Sequence, residues 1–266
     1  MKKIIQSFRE HENYRELIWM LAKTDFKLRY QGSILGYVWA LLKPLLTFAV
    51  LNFVFSSIFN PRNAGGVETY SLELLVGLMM FYFFSEGTSA GLNSLVSKAQ
   101  LVTKIYVPRW TIIIASTINA ALVFLTNLIV IVFFFVLKGF MPSVYAIALF
   151  LLFSFFIYIL ILSFSLIAAP LFVKFRDLSM IWDVVLMIVM YASPIIYPLA
   201  MLPVTYHQFI LLNPLAFIVH FTKESLINGH FADPHQYIGF IVSVAGGFIF
   251  SIFMYNKLIK HVAEDM

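Results

Sequence analysis

Residues 111–137, TIIIASTINAALVFLTNLIVIVFFFVL, and 144–173, VYAIALFLLFSFFIYILILSFSLIAAPLFV, are almost entirely apolar and rich in phenylalanine. A hydrocarbon layer roughly 30 Å thick is crossed by about 20 apolar residues in helical form. Both stretches meet that length. Working outward from them, four further runs read as spans: 35–59, 70–91, 181–197 and 237–256. Composition agrees, with 61% of the 266 residues hydrophobic and 12% charged. A water-soluble chain is about half apolar and about a quarter charged, and much of its surface must face solvent. The expected fold is an all-α integral membrane protein of six transmembrane helices, with a cytoplasmic interfacial helix before them and an external re-entrant hairpin before the last.

The basic residues report orientation. With the N-terminus in the cytoplasm and the spans alternating, fourteen of the 18 Lys and Arg residues fall inside. Only Arg62, Lys138 and Lys223 fall outside, and Lys43 lies within the first span. Cytoplasmic enrichment of Lys and Arg sets topology, so both termini are expected inside. The net charge of +5 therefore reflects the membrane rather than nucleic acid. Lys2 and Lys3 precede a polar stretch rather than an apolar core with a cleavage site, so insertion is expected to use the first span. The whole chain, 1–266, reads as one transmembrane domain: an interfacial helix within 1–34, a membrane body over 35–256 and a cytoplasmic tail over 257–266.

Between the spans the pattern changes. Over 12–30, Glu12, Glu16, Lys23 and Lys27 share one helical face, and Tyr14, Leu17, Ile18, Leu21 and Leu28 the other, with Asp25 breaking the apolar side. Lys43 is close enough to the inner surface to snorkel, and Pro44 follows it. Loop 60–69, with Pro61, Gly65 and Gly66, reads as an external turn. Glu86 in the second span is deep enough to need a polar neighbour. Gly87 and Gly91 have the spacing that allows close helix packing. Residues 92–110 read as a cytoplasmic loop holding a short amphipathic helix that ends before Pro108. Pro170 is expected to kink or end the fourth span. Segment 198–235 is too interrupted to span and too apolar for a plain loop. Its two half-length pieces, near 204–212 and 215–228, read as the external hairpin.

Several chemistries are absent. There is no cysteine, so no disulfide or thiolate site. No G-x-x-x-x-G-K-[ST], H-E-x-x-H or G-x-S-x-G stretch occurs. His230, Asp233 and His235 form the one tempting metal cluster, and beside Pro and Gly they read as ordinary turn residues. No catalytic residue and no metal ligand are assigned.

DFKLRYQGSILGYVWALLKPL (25–45) resembles the first segment of permease subunits of ABC exporters for cell-surface polysaccharides. RDLSMIWDVVLMIVMYASPIIYPLAMLP (176–203), then LLNPLAFIV (211–219), carries the same family's order of an RD turn, a span, S-P-I-I-Y-P and L-N-P. LVTKIYVPR (101–109) is similar to its cytoplasmic coupling loop. These matches run from about residue 14 to the end. The resemblance implies an ABC-2 type homodimer in the bacterial inner membrane. Two ATP-binding ABC subunits would sit on its cytoplasmic face and carry the ATP and Mg, leaving no cofactor in this chain. The substrate implied is an O-antigen, capsule or teichoic-acid polymer on a polyprenyl diphosphate lipid. Lys98, Leu101, Val102, Lys104, Ile105 and Pro108 would meet the ATPase. Pro194, Pro198, Pro203, Asn213 and Pro214 would shape the external gate.

Arg29, Tyr30 and Arg176 stand where cationic and aromatic groups would receive the lipid diphosphate. The chain has 29 Phe, 13 Tyr and 4 Trp, mostly suited to lipid and interfaces. Phe81, Tyr82, Tyr191 and Tyr197 are candidates to line a channel, since sugar C–H faces stack on aromatic rings. The rival readings are an ABC-2 exporter of a small lipid or drug, a membrane-embedded glycan-modifying enzyme, and an ion-coupled transporter. The last two want acid–base, metal or paired intramembrane charges that the sequence does not display.

Overall fold

The computed structural model describes residues 2–29, 31–58, 67–104 and 107–260, and of these the side chains of 14–29, 31–56, 69–101 and 107–260. Among the described residues all regular structure is helical: α1 (Lys2–Arg29), α2 (Val38–Ile58), α3 (Val67–Ser97), α4 (Ala99–Lys104), α5 (Arg109–Leu137), α6 (Val144–Lys174), α7 (Leu178–Ala192), α8 (Val204–Leu211), α9 (Pro214–Lys223) and α10 (Pro234–Leu258). A 3₁₀ turn at Leu199–Met201 precedes α8, and a π-helical turn at Glu224–Asn228 extends α9.

The N-terminal helix is longer than the predicted 12–30, because nothing from Lys2 to Arg29 breaks it: the stretch has no Gly or Pro. Gly32 (φ 81°) and Gly36 (φ 47°) then turn the chain into α2, in a conformation that costs a residue with a Cβ. The predicted external turn at 60–69 lies outside the described residues up to 66, and α3 starts at Val67.

Helix α3 is the central strut. It packs on α6, α5, α2, α9 and α7, and Leu74, Leu75, Leu78, Met79 and Met80 are fully buried. Its closest partner is α6. A Cβ on Gly87 would lie 2.6 Å from Ile161 Cδ1, and one on Gly91 would overlap Ser165 Oγ. The two glycines therefore let the α3 and α6 backbones approach, as small residues do where helices meet in lipid. A second seam is aromatic: Phe217 stacks on Phe240 at 4.8 Å, and Phe153 meets both edge-on, joining α9, α10 and α6. Outward faces of α2, α5, α7 and α10 expose large apolar side chains, among them Phe53, Ile129, Met187 and Phe253.

Four helices are long and apolar enough to cross a membrane: Val38–Ser56, Arg109–Leu137, Val144–Lys174 and Pro234–Leu258. A fifth is reached if Val204–Leu211 and Pro214–Asn228, bent by 116°, count as one. The predicted count of six differs at two places. Predicted span 70–91 lies inside α3, whose 31 residues carry Glu73 and Glu86. Predicted span 181–197 is cut short: α7 has 15 residues, about 22 Å, because Pro194 pushes Ser193 out of the helical region to φ −100°, ψ 150°. Conversely, α6 runs through Pro170 and ends at Lys174. The half-length pieces read at 204–212 and 215–228 are present as α8 and α9 with its π turn. They are buried unequally: α8 has no buried residue, whereas Leu215, Ala216, Phe217, Ile218 and Val219 of α9 are in the core.

Candidate functional site

Helix α1 lies along α5 by its apolar stripe. Tyr14 meets Trp110 edge-on at 5.9 Å, and Ala22 is fully buried. Asp25, the residue that breaks the stripe, pairs with Lys98 at the α3–α4 junction, and Lys98 Nζ is also 3.4 Å from Ser116 Oγ on α5. One turn further along α1, Arg29 Nη2 is 3.2 Å from Glu86 Oε1 on α3. Two residues that sequence reasoning treated separately thus form one pair, and the deep carboxylate of Glu86 has its polar neighbour.

These pairs line an open groove of about 750 Å³ between α1, α2, α3, α5 and α7. Its wall includes Lys43, Ser85, Ser89, Asn93, Asn119 and Asp183 besides the two ion pairs. A smaller cavity of about 440 Å³, lined by Trp39 and Thr47, adjoins it through Arg29, Lys43 and Glu86. Lys43 has no carboxylate within ion-pair distance among the described residues. It lines both cavities. Arg176 does not line the groove; it is exposed on the α6–α7 turn with its guanidinium 5.7 Å from the Phe172 ring. Tyr30 lies outside the described residues.

Of the coupling candidates, Lys98 is held by Asp25, and Leu101 packs with Leu21, Ile112 and Tyr255 between α1, α5 and α10. The short helix expected here is α4, six residues long, and Pro108 directly precedes α5. Arg109 Nη1 donates to the Ile259 carbonyl at 2.9 Å, tying this region to the end of α10. The side chains of Val102, Lys104 and Ile105 lie outside the described residues.

The aromatic candidates separate. Phe81 is 5% exposed and packed in the core, so it offers no face to a polymer. Tyr82 is half-buried and donates to Thr47 Oγ1 at 2.8 Å, tying α3 to α2. Tyr191 is exposed on α7, and Tyr197 donates to its carbonyl at 3.1 Å.

The gate prolines mark helix ends. Pro194 follows α7, Pro198 precedes the 3₁₀ turn, Pro203 precedes α8 and Pro214 opens α9. Asn213 caps α9 by accepting from the Leu215 N–H at 3.0 Å, and its amide nitrogen is 3.4 Å from Ser193 Oγ. Asn213→Ala is expected to cost about 1 kcal/mol of stability through the lost cap, read as a lower midpoint in thermal unfolding of the purified protein.

Sequence reasoning missed Lys223, counting it as an external charge. Lys223 is 4% exposed, and its ammonium donates to the Pro194 carbonyl at 2.8 Å and reaches that of Ile195 at 3.5 Å. Tyr70 donates to the next carbonyl, Ile196, at 2.8 Å. Gly77 leaves room for this segment, since a Cβ there would be 3.1 Å from the Ile195 oxygen. Carbonyls freed where S-P-I-I breaks a helix must be satisfied by protein if no water reaches them. That need was the available signal. Among the described residues no three His, Asp or Glu side chains converge as metal ligands. His230 is 3.2 Å from Glu224, and Asp233 forms a capping box with Gln236 at the start of α10.

Comparison with known proteins places this geometry in a family context. The ABC-2 type transporter family model matches residues 16–225. The chain is 29% identical to the O-antigen export system permease protein RfbA of Klebsiella pneumoniae, over 94% of each chain. It is 26% identical to a protein of the same name from Myxococcus xanthus, over 74% of each. Similarity extends to the polysialic acid transport protein KpsM of Escherichia coli, at 24% identity over 79% of this chain and 80% of that one.

Proposed function

Because this chain belongs to the ABC-2 type transporter family, we propose that it is the transmembrane subunit of an ATP-driven exporter that moves a polyprenyl-diphosphate-linked polysaccharide across the bacterial inner membrane. Its relatives named for O-antigen export and polysialic acid transport support that substrate class, and a teichoic acid has the same lipid-linked chemistry. The observation that carries the reading is the polar groove between α2, α3 and α7 in a bundle whose outer faces are apolar. A permease needs a wetted path of this kind, whereas lipid contact alone does not.

In this reading the chain is one transmembrane domain, 1–266. Helices α2, α3, α5, α6, α7 and α10 are its six spans, and both termini are cytoplasmic. Two copies form a homodimer. Two ATP-binding subunits carry ATP and Mg and press on the segment of Lys98, Leu101, Val102, Lys104, Ile105 and Pro108. The Asp25–Lys98 pair joins that segment to α1, and Arg109 joins it to α10, so a push there is shared by three helices. Arg29, Tyr30 and Arg176 receive the lipid diphosphate. Because Arg29 already holds Glu86, an arriving anion would compete for its guanidinium. Helices α8 and α9, with Pro194, Pro198, Pro203, Asn213 and Pro214, form a re-entrant external gate. Tyr82, Tyr191 and Tyr197 are nearest to open space among the proposed channel aromatics. The chain itself performs no hydrolysis.

The test is purification from host membranes under mild detergent. An ABC ATP-binding subunit is expected to co-purify, with ATP hydrolysis altered by polyprenyl-diphosphate-linked glycan. A chain that purifies alone, with no ATPase recovered on reconstitution, would sink the exporter reading.

A further inference from the structure

Helix α5 stops in a tight reversal. The Gly139 N–H donates to the Val136 carbonyl at 3.0 Å, and the Phe140 N–H to that of Phe135 at 2.9 Å. Gly139 takes φ 64°, the left-handed turn that closes many helices. Phe140 is thereby folded back, and its ring meets Phe135 edge-on at 5.7 Å. Ser143 then caps α6 by accepting from the Ala146 N–H at 3.2 Å.

The reversal leaves a cavity of about 290 Å³ between the end of α5, the start of α6 and Leu226 of the π-helical turn. Every residue that lines it is apolar. Its inner wall belongs to the core, where Ile131, Phe135 and Phe150 are buried, whereas Val132, Val136 and Leu151 are 60%, 61% and 55% exposed. The cavity therefore opens from the packed bundle onto its apolar outer surface. Left empty it forfeits dispersion contacts, and a water inside would find no polar partner. A flexible hydrocarbon chain meets both conditions.

One charge stands beside it. Lys138 lies between the lining residues Val136 and Phe140, is exposed, and forms no ion pair among the described residues. The turn KGFMPS (138–143) carries no acid. Glu224, two residues before Leu226, is engaged by Asn228 and His230. An anion is therefore what this turn lacks. Exposed Tyr145, at the start of α6, is a residue type that sits at headgroup level. A second copy of the chain suits the face poorly. Contact across a two-fold axis would set both Lys138 side chains on one interface, with no acid from the turn between them.

We propose that this cavity holds one acyl chain of an anionic phospholipid from the surrounding bilayer, with the lipid phosphate against Lys138. The orientation proposed above puts the site in the outer leaflet. The inference needs the chain to span a membrane but does not need the identity of the exported polymer. Its failure and that of the export reading are therefore separate results, the latter judged by recovery of the ATPase.

The test is photolabelling of the complete complex in phosphatidylcholine vesicles. These contain a small share of phosphatidylglycerol with a photoreactive group at the end of one acyl chain. Labelled peptides are then located by mass spectrometry. The label is expected to concentrate on 128–136 and 147–151, above the level on the exposed faces of α7 and α10. Lys138→Glu should lower it at least about fivefold at these positions and leave α10 unchanged. Leu151→Trp, which fills the mouth of the cavity from an exposed position, should lower it to the level of α10. Both sites are exposed, and an unchanged elution profile on size exclusion checks that the variants fold. Label spread evenly over the outer faces, or unaffected by Lys138→Glu, would overturn the inference. So would loss of the label on adding polyprenyl diphosphate, which would give the cavity to the exported lipid. Efficient disulfide linkage of two chains through Leu151→Cys would give it to a second copy and overturn the inference as well.

Discussion

Gly91→Val is expected to leave almost no folded protein in detergent extracts, with the remainder aggregated on size exclusion. Gly91 stands where α3 meets both α6 and α5. A Cβ there would overlap Ser165 Oγ and come within 3.2 Å of Thr117 Cγ2. Ser165 has no space to retreat, since it is fully buried and its hydroxyl donates to the Ile161 carbonyl at 2.6 Å. Overpacking a well-filled interior costs about 1–3 kcal/mol where neighbours can shift. Here relief requires parting α3 from α6, which would also open the contact at Gly87. Two comparisons make the result specific. Gly246→Val on α10, where a Cβ meets nothing within 4 Å, should be silent. Gly91→Ala should be partly rescued by Ser165→Gly. Normal yield and a sharp elution peak for Gly91→Val would mean that α3 and α6 do not pack this closely.

Lys223→Met should be the most damaging change in the gate region. It removes the donor that satisfies the Pro194 and Ile195 carbonyls in a segment with no helix to close them. An orphaned buried acceptor costs about 1–3 kcal/mol, and two carbonyls are affected. Methionine matches the chain length and apolar stem of lysine, so the loss is of hydrogen bonds and charge rather than volume. The expected result is a chain that still reaches the membrane but unfolds at a lower temperature, with export reduced because the broken segment after α7 is no longer held against α9. Tyr70→Phe, which frees only the Ile196 carbonyl, should show the same trend more weakly. Equal stability and export for Lys223→Met and wild type would show that α7 and α9 are not held together through this side chain.

Much of the architecture was legible because a bilayer imposes simple length rules. The apolar runs around 38–56, 109–137, 144–174 and 234–258 stand out whatever they pack against. The two half-length pieces after α7 were equally readable, because Pro198, Pro203 and Pro214 leave few places for helices to begin and end. Glu86 was recognisable as a residue that needed a partner, and Asp25 as a break in the apolar face of its helix. Their partners were not, since Lys98 is 73 positions from Asp25 and Glu86 is far from Arg29 in the chain. The small-residue spacing of Gly87 and Gly91 was visible but common, and only the fold assigns it to α6. The extension of α1 back to Lys2 was missed because a polar stretch carries no helical periodicity to read.

By itself, then, the sequence determined that this chain lives in a membrane, where its long helices lie and where its backbone is broken. These follow from composition, length and proline, which act over a few residues. Only the tertiary structure decided which face of α3 lines a groove, which charges cancel, and that Lys223 is buried against unwound backbone. Those outcomes depend on helices far apart in sequence being pressed together. Closing the distance between them is what turns isolated polar residues into ion pairs, a polar wall and a satisfied break.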